Sequence, residues 1–326
     1  MSKFKPLFLA HSLYQMLVRK RPIAISHSVN SNCNLRCSFC NQWQNPEKDI
    51  SFEEVCNIID MAYDFGIRVY NAWSAEPLLR KDLPDIMKYA KSRGMTTMMI
   101  TNGKLLKKRA FELVDIDYVS VSIDGPSATE KIRGLNYDEL VSNIKYVIES
   151  GVLNNPILMN VVVSSQNVYD IEDLVLFAKD TGSRISVEPV HMLQGADTSV
   201  IKSLSLSDSE RRYVFSKLLE MKKQGYPIIH SKTYLKRAIE NKRKINCCIN
   251  QSILGIDHKG NLYNCRVHEK PLGNILEKGL KTVWDESSAQ RKNICNKCPG
   301  CLFFGYAENN LLLNYNIESL FGYEWM

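Results

Sequence analysis

The sequence predicts an α/β fold, a partial (β/α)6 TIM-like barrel followed by a small cysteine-rich C-terminal domain, on three observations. Between about residues 23 and 190, six short apolar runs alternate with helical periods. Such alternation implies a parallel sheet, because parallel neighbours need a crossover connection. The span is shorter than the ~250 residues typical of a closed eight-fold barrel, so an incomplete barrel is expected. Finally, nine of the ten cysteines fall in two groups: Cys33, Cys37 and Cys40 near the front, and Cys247, Cys248, Cys265, Cys295, Cys298 and Cys301 near the back.

Residues 1–20 make an amphipathic N-terminal segment, apolar first and then basic. Residues 23–29 read as the first strand. Ser51 and Glu54 form a capping box that opens a helix. Its Val55, Ile58, Ile59, Ala62 and Phe65 keep to one face at spacings of three and four, and Gly66 stops it. Further strands are expected at 67–73, 95–100, 118–123, 157–163 and 185–190. Helices at 83–93, 104–113, 137–150 and 168–179 separate them. A second capping box, Ser207 with Glu210, opens a helix reaching Lys223. Composition changes after Tyr226 and Pro227, which puts a boundary near residue 230. Residues 21–230 then form the barrel unit. Residues 231–326 form the cysteine-rich one, with a basic helix at 232–244 and a hairpin around Asp257 to Asn261.

Composition excludes several classes. The 326 residues are 44% apolar and 24% charged, an ordinary globular balance. The net charge of +7 (42 Lys and Arg against 35 Asp and Glu) is scattered and gives no argument for a nucleic-acid partner. No apolar run approaches the ~20 residues that a bilayer-spanning helix needs. Residues 7–10 are too short for the core of a secretory signal, so a cytoplasmic protein is expected. In that setting grouped cysteines read as metal ligands before disulfides.

Cys33-x3-Cys37-x2-Cys40 follows the first strand, at the strand end where active sites of parallel sheets collect. Three thiolates packed this closely suit an iron–sulfur cluster. They leave one iron of a four-iron cube open to hold a substrate or cofactor. A zinc site completed by a distant ligand such as His27 is the alternative. Cys56, one position off the core stripe of the first helix, reads as a buried free thiol.

The run Cys33-Asn34-Leu35-Arg36-Cys37-Ser38-Phe39-Cys40 resembles the signature of the radical S-adenosylmethionine (radical SAM) enzymes, including the aromatic Phe39 before the last cysteine. The resemblance spans about residues 20 to 225. It implies a [4Fe–4S] cluster on Cys33, Cys37 and Cys40, with SAM chelating the open iron, and a partial (β/α)6 barrel. Ser74-Ala75-Glu76-Pro77 is similar to the family's Gly-Gly-Glu-Pro, whose backbone meets the SAM amino group; Ser74 and Ala75 depart from it. Thr101-Asn102-Gly103 and Ser122-Ile123-Asp124-Gly125-Pro126 resemble further strand-end motifs. These imply cofactor contacts from Phe39, Ser74, Ala75, Glu76, Thr101, Asn102, Ser122 and Asp124, and an Arg133 that meets the SAM carboxylate. Taken alone, the Asn-Gly and Asp-Gly-Pro runs are ordinary turn chemistry.

The second cysteine group resembles the C-terminal SPASM and twitch auxiliary-cluster domains, through a cysteine followed by Gly260-x4-Cys265. The full SPASM pattern has more cysteines and longer gaps. Four ligands complete one cube, so the resemblance implies one auxiliary [4Fe–4S] cluster on Cys248, Cys265, Cys295 and Cys298. Cys301 is a substitute or neighbour, and Cys247 can exchange with Cys248. A four-cysteine zinc site is the alternative.

The resemblance also implies a reaction. An electron from a donor such as flavodoxin or ferredoxin passes to the cluster, and SAM is cleaved to methionine and a 5′-deoxyadenosyl radical. That radical takes hydrogen from a peptide or small-molecule substrate, with the auxiliary cluster aiding substrate oxidation or binding. Glu188, at the end of the sixth strand, is a candidate general base or a salt-bridge partner of Arg184; His191 reads as a loop histidine. Residues 4–21 either lie weakly on an anionic membrane surface or pack beneath the barrel. Lipid contact would point to a lipid or isoprenoid substrate. A non-catalytic iron–sulfur or zinc protein is the reading from another class, and the open iron and strand-end motifs speak for the enzyme.

Overall fold

Six strands follow the expected order: β1 (Ala24–Ser28), β2 (Val69–Trp73), β3 (Thr96–Thr101), β4 (Tyr118–Ser122), β5 (Leu158–Val163) and β6 (Arg184–Pro189). The computed structural model describes residues 6–44, 46–73, 75–191, 197–265, 270–316 and 318–319. In it each strand pairs in parallel with its neighbour in sequence. The tail adds β7 (Ile253–Ile256), parallel to β1, then β8 (Asn261–Tyr263) and β9 (Gly273–Asn274), both antiparallel. All nine form one sheet, in the order β6-β5-β4-β3-β2-β1-β7-β8-β9. The sheet therefore runs through the boundary expected near residue 230.

Period-two alternation sorts the strand residues. Ile25, Tyr70, Met99, Val121, Met159 and Val187 are fully buried in the layer between sheet and helices. Ser26, Asn71, Met98, Ser120 and Asn160 face a cavity on the concave side instead. The helix Phe52–Phe65 shows why the outer layer forms where it does. Ser51 Oγ accepts from Glu54 N at 3.2 Å, and Glu54 Oε2 accepts from Ser51 N at 2.8 Å. Gly66 ends the helix at φ +106°, a left-handed conformation that favours glycine. Val55, Ile58, Ile59 and Ala62 are fully buried on its inner face. Each large side chain so buried is worth about 1.5–3 kcal/mol.

The cavity has a wall of its own. The helix Phe304–Leu313 crosses the concave side. Its first N–H, from Phe304, meets Glu188 Oε2 on β6 at 2.7 Å. One turn further on, Asn309 Oδ1 accepts from the hydroxyl of Ser252, the residue before β7. The helix thereby bridges the two sides that six parallel strands leave apart.

Three expectations change in detail. The segment 104–113 forms turns and a short 3-10 helix, Ala110–Leu113, rather than an α-helix. Leu106, Ala110 and Leu113 are buried as their spacing suggests. Arg109 pulls the segment inward, donating to the carbonyls of Leu78 (2.5 Å) and Arg80 (2.9 Å). The basic helix stops at Ile239, because Asn241 takes a left-handed φ of +54° and the following Lys242 N caps Arg237 O at 2.8 Å. The N-terminal segment becomes the helix Pro6–Leu13 and a π-turn, Tyr14–Val18. His11 and Gln15 fasten it to Gly66 O (2.8 Å) and Phe65 O (2.9 Å). Leu7, Tyr14 and Val18 remain exposed. No helix among the described residues is long and apolar enough to cross a membrane.

Two histidines are buried neutral. His27 Nδ1 pairs with the Tyr70 hydroxyl at 2.8 Å, and His230 Nε2 accepts from Val187 N at 2.7 Å beneath a stacked Tyr234 ring. Burial pulls both down to about 3. Unfolded, each titrates near 6.5, so the unfolded chain takes up more protons as pH falls below that value. The stability they lend is complete above pH 6.5 and is lost as pH drops toward 3, at about 2 kcal/mol per histidine between pH 7 and 5. Urea unfolding at those two pH values should show the fall, and His230→Gln should reduce it by about that amount.

Candidate active site

The C-terminal ends of β1 to β6 open into one cavity of about 360 Å³, lined mainly by apolar side chains. That is the size range of small-ligand pockets. Cys33, Cys37, Phe39 and Cys40 face it, and so do Ala75, Thr101, Asn102, Ser122, Arg133 and Glu188. Ser74 lies outside the described residues.

Glu76 is fully buried and organises this end of the sheet. Its carboxylate accepts from Thr101 Oγ1 (2.7 Å), Asn102 N (2.8 Å) and Leu78 N (3.0 Å). Its backbone N–H reaches Asn32 O at 2.9 Å, and its carbonyl accepts from Asn30 Nδ2 at 2.9 Å. Burial pushes the carboxyl above its ordinary value, and the donors from Asn102, Thr101 and Leu78 hold it back. Glu76 thus acts as a clamp, its side chain holding the end of β3 and its backbone holding the stretch that leads into the cysteine loop. Asn102 extends the clamp, with Nδ2 on Asn34 Oδ1 at 2.8 Å and 4.0 Å from Cys33 Sγ.

The cysteine loop is held from a second side. Ser38 N donates to Ile132 O at 2.9 Å, and Arg133 lies 5.3 Å over the Phe39 ring. Arg133 is itself spent on Asp124, with Nε to Oδ2 at 2.6 Å and Nη2 to Oδ1 at 3.1 Å. Asp124 is fully buried and also accepts from Val162 N at 2.9 Å. Gly125, at φ +86°, turns the chain away immediately after it, and a Cβ there would meet Asp170. The pair expected to meet the cofactor separately is therefore one buried ion pair, with Arg133 facing the cavity and Asp124 behind it.

Glu188 faces the cavity, and its Oε2 accepts from Phe304 N at the start of the tail helix, where a carboxylate meets the positive end of the helix dipole. His191 Nε2 lies 3.9 Å from it. His27 is on the opposite face of β1, packed against Tyr70, and so does not join the cysteines as a metal ligand.

Residues 28–178 match the family model described as the Radical SAM superfamily. The segment so matched, somewhat under half of the chain, is a radical SAM domain. It is 28% identical over 233 residues to the Fe-coproporphyrin III synthase of Methanosarcina barkeri (strain Fusaro / DSM 804), covering 67% of this chain and 57% of that protein. It is 26% identical over 263 residues to a probable GTP 3′,8-cyclase of Methanococcus maripaludis, covering 76% and 86%. Apart from that cyclase, the chain spans 52% to 57% of the length of these curated relatives. Streptococcus suis SuiB bound to its precursor peptide SuiA aligns with a TM-score of 0.70 at 18% identity, covering 95% of this chain and 76% of that one. His-tagged anSMEcpe with bound AdoMet aligns at 0.67 and 15%, covering 94% and 96%. These likenesses show the fold alone, a partial barrel with a parallel sheet.

Radical SAM proteins hold a [4Fe–4S] cluster and SAM, and the donor set here fits. Cys33 and Cys37 are thiols that burial pushes up, Cys37 to about 11. A bound cation deprotonates such groups outright. Leu35 N, 3.4 Å from Cys33 Sγ, already supplies a donor to the sulfur. Among the described residues no three Cys, His, Asp or Glu side chains converge on one common metal ion. A cube takes one thiolate per iron, so it does not require that convergence.

The second cysteine group assembles around a different member from the expected one. Cys247 shares hydrogen bonds with the thiols of Cys295 and Cys298, and packs with Cys265 and Cys301 around Ile249 and Tyr306. Asn310 Nδ2 and Asn264 Nδ2 approach Cys247 and Cys295 at 3.8 Å and 3.9 Å. Gly300 N lies 3.4 Å from Cys298 Sγ. Cys248 instead packs against the apolar cluster of Met16, Ile23 and Leu313. The two adjacent cysteines meet different neighbours, and sequence spacing alone does not say which of them turns inward.

Several working residues escaped the sequence reading. Asn34 anchors Asn102. Arg80 staples the end of β1 by donating to Val29 O (2.6 Å) and Ile50 O (3.0 Å) while paired with Asp82 at 2.7 Å. The run Glu308-Asn309-Asn310, polar residues inside an otherwise apolar stretch, was the available signal for the cavity wall.

The Asp124–Arg133 pair gives a direct test. Arg133→Met leaves a buried carboxylate without its cation and should lower the unfolding free energy by about 3–5 kcal/mol. Urea unfolding measures this. Adding Asp124→Asn should recover part of the loss, because the unpaired charge goes with it.

Proposed function

We propose that the chain is a radical SAM enzyme that reductively cleaves S-adenosylmethionine and abstracts hydrogen from a small-molecule or peptide substrate. The observation that carries the reading is the meeting of Cys33, Cys37 and Cys40 with Ala75, Asn102, Ser122 and Arg133 on one cavity. The cluster and SAM would supply the radical chemistry. The chain's own residues do the rest. The three cysteines hold the iron, and the Glu76 clamp fixes their loop. Ser122, half-buried at the end of β4, offers its hydroxyl to the cofactor. Phe39 and the tail helix keep water from the reacting atoms.

We assign residues 21–230 to the radical SAM core and 231–326 to a SPASM- or twitch-like auxiliary unit. Its [4Fe–4S] cluster would be held by Cys247, Cys265, Cys295 and Cys298, with Cys301 beside it, and would aid substrate oxidation or binding. A flavodoxin or ferredoxin is the electron donor that such chemistry needs. A mainly apolar cavity of about 360 Å³ favours a small molecule, and two relatives carry names with small molecules in them, GTP and coproporphyrin III. A peptide is the second reading, supported by the likeness to SuiB bound to its precursor peptide. The outward Leu7, Tyr14 and Val18, next to Arg19, Lys20 and Arg21, fit a weak membrane-surface contact.

Anaerobically reconstituted protein should bind about eight irons, four per cube. The triple change of Cys33, Cys37 and Cys40 to Ala should halve that content and abolish formation of 5′-deoxyadenosine. Cys247→Ala should lose the second set of irons, while Cys248→Ala should keep it. Zinc in place of iron, in protein prepared without oxygen, overturns the proposal.

A further inference from the structure

Away from the cysteine loop, the same cavity has polar groups that nothing in the cofactor chemistry uses. The described residues lining it include two carboxylates, Glu188 and Glu308, and one permanent cation, Arg133, already paired with Asp124. The lining is therefore acidic. Glu308 lies within the tail helix and is 6% exposed. It accepts from Ser231 N at 2.7 Å and from Ser319 Oγ at 3.2 Å, both neutral donors. Lys222 acts on it only as a through-space charge, since its ammonium is bonded to Ile228 O at 2.9 Å. A buried carboxylate whose direct donors are all neutral lacks a bonded cation to offset its desolvation.

A second, independent observation points to a ligand. Asn71, at the middle of β2, is 8% exposed and lines the cavity. One end of its amide meets Ser26 Oγ at 3.2 Å, and the other end has no partner. A buried polar atom left unpaired costs about 1–3 kcal/mol, which a ligand atom placed there would restore. The rest of the wall is apolar, with Met98, Leu158 and Ile253 around these polar groups.

We infer that this region is the substrate subsite and that it takes a small molecule carrying a protonated amine on an apolar body. Glu308 receives the ammonium, and Asn71 fixes a second polar atom of the same molecule. The inference rests on the radical SAM reading of the cavity and names the substrate class for it. It also gives the tail helix a role in recognition, because among the described residues that helix brings the one lining carboxylate from outside the six-stranded unit.

The test uses the reconstituted, SAM-loaded chain and three probes of one length: n-hexylamine, 1-hexanol and hexanoate. Calorimetric titration should show saturable binding of the amine, at least tenfold tighter than either of the others. Glu308→Gln should remove that preference and Glu308→Asp should keep it at lower affinity, with SAM titration of each variant separating a local change from loss of fold. Equal binding of amine and alcohol by the wild-type chain overturns the inference, as does an unchanged preference in folded Glu308→Gln. A wild-type chain that cleaves SAM but shows no amine preference overturns this inference alone. One that cleaves no SAM overturns the function beneath it.

Discussion

The buried Glu76 carboxylate is the constraint on which the active end of this protein depends. Parallel strands deliver their loops to one end of a sheet, but nothing in strand pairing fixes those loops relative to each other. Here one side chain collects Thr101, Asn102 and Leu78, while its own backbone holds Asn32 and is held by Asn30. A carboxylate suits this place because it is acceptor-only and offers two oxygens to converging donors. Desolvating it is costly, and three hydrogen bonds to a charged group offset that cost. The cysteine loop, which has no regular secondary structure of its own, inherits its position from that clamp and from the Ser38–Ile132 bond on the other side.

A second constraint comes from the incomplete barrel. Six parallel strands leave a sheet open on one side, and an open cavity cannot keep water from a reactive intermediate. The tail helix Phe304–Leu313 lies across that side, tied to β6 through Glu188 and to the residue before β7 through Asn309. Because β7 joins the sheet beside β1, the tail is hydrogen-bonded to the strand that leads into the cysteine loop. The tail thus returns to the cysteine-loop end of the sheet, and residues from both halves line the cavity.

Much of this was legible in the sequence, for physical reasons that can be named. Helix Phe52–Phe65 announced itself by a capping box, a stripe of apolar residues and a terminal glycine, all local signals. The six strands were visible as short apolar runs set between helical periods, because strands covered on both faces carry few polar residues. The cysteine loop was visible because few functions need three thiols so close together. Long-range choices were not visible. Asp124 and Arg133 lie nine residues apart, and only the turn at Gly125 brings them into contact. Segment 104–113 has helical spacing, yet Arg109 finds carbonyls about thirty residues away and the backbone tightens instead. Cys247 and Cys248 are adjacent, and the packing of the neighbouring apolar cluster decides which one turns inward.

The central claim is that the Glu76 clamp sets the cysteine loop so that cofactor binds at the open iron. Titrating SAM against the reduced first cluster by electron paramagnetic resonance, in wild type and in Glu76→Gln, tests it most directly. The glutamine keeps size and shape but replaces one accepting oxygen with an amide NH2 that faces a donor, so the loop should lose its register while the three cysteines remain. The account predicts a saturable spectral change in the wild type, and a variant that retains its iron but needs at least tenfold more SAM to reach it. Equal SAM affinity in the two proteins, with iron content unchanged, would contradict it.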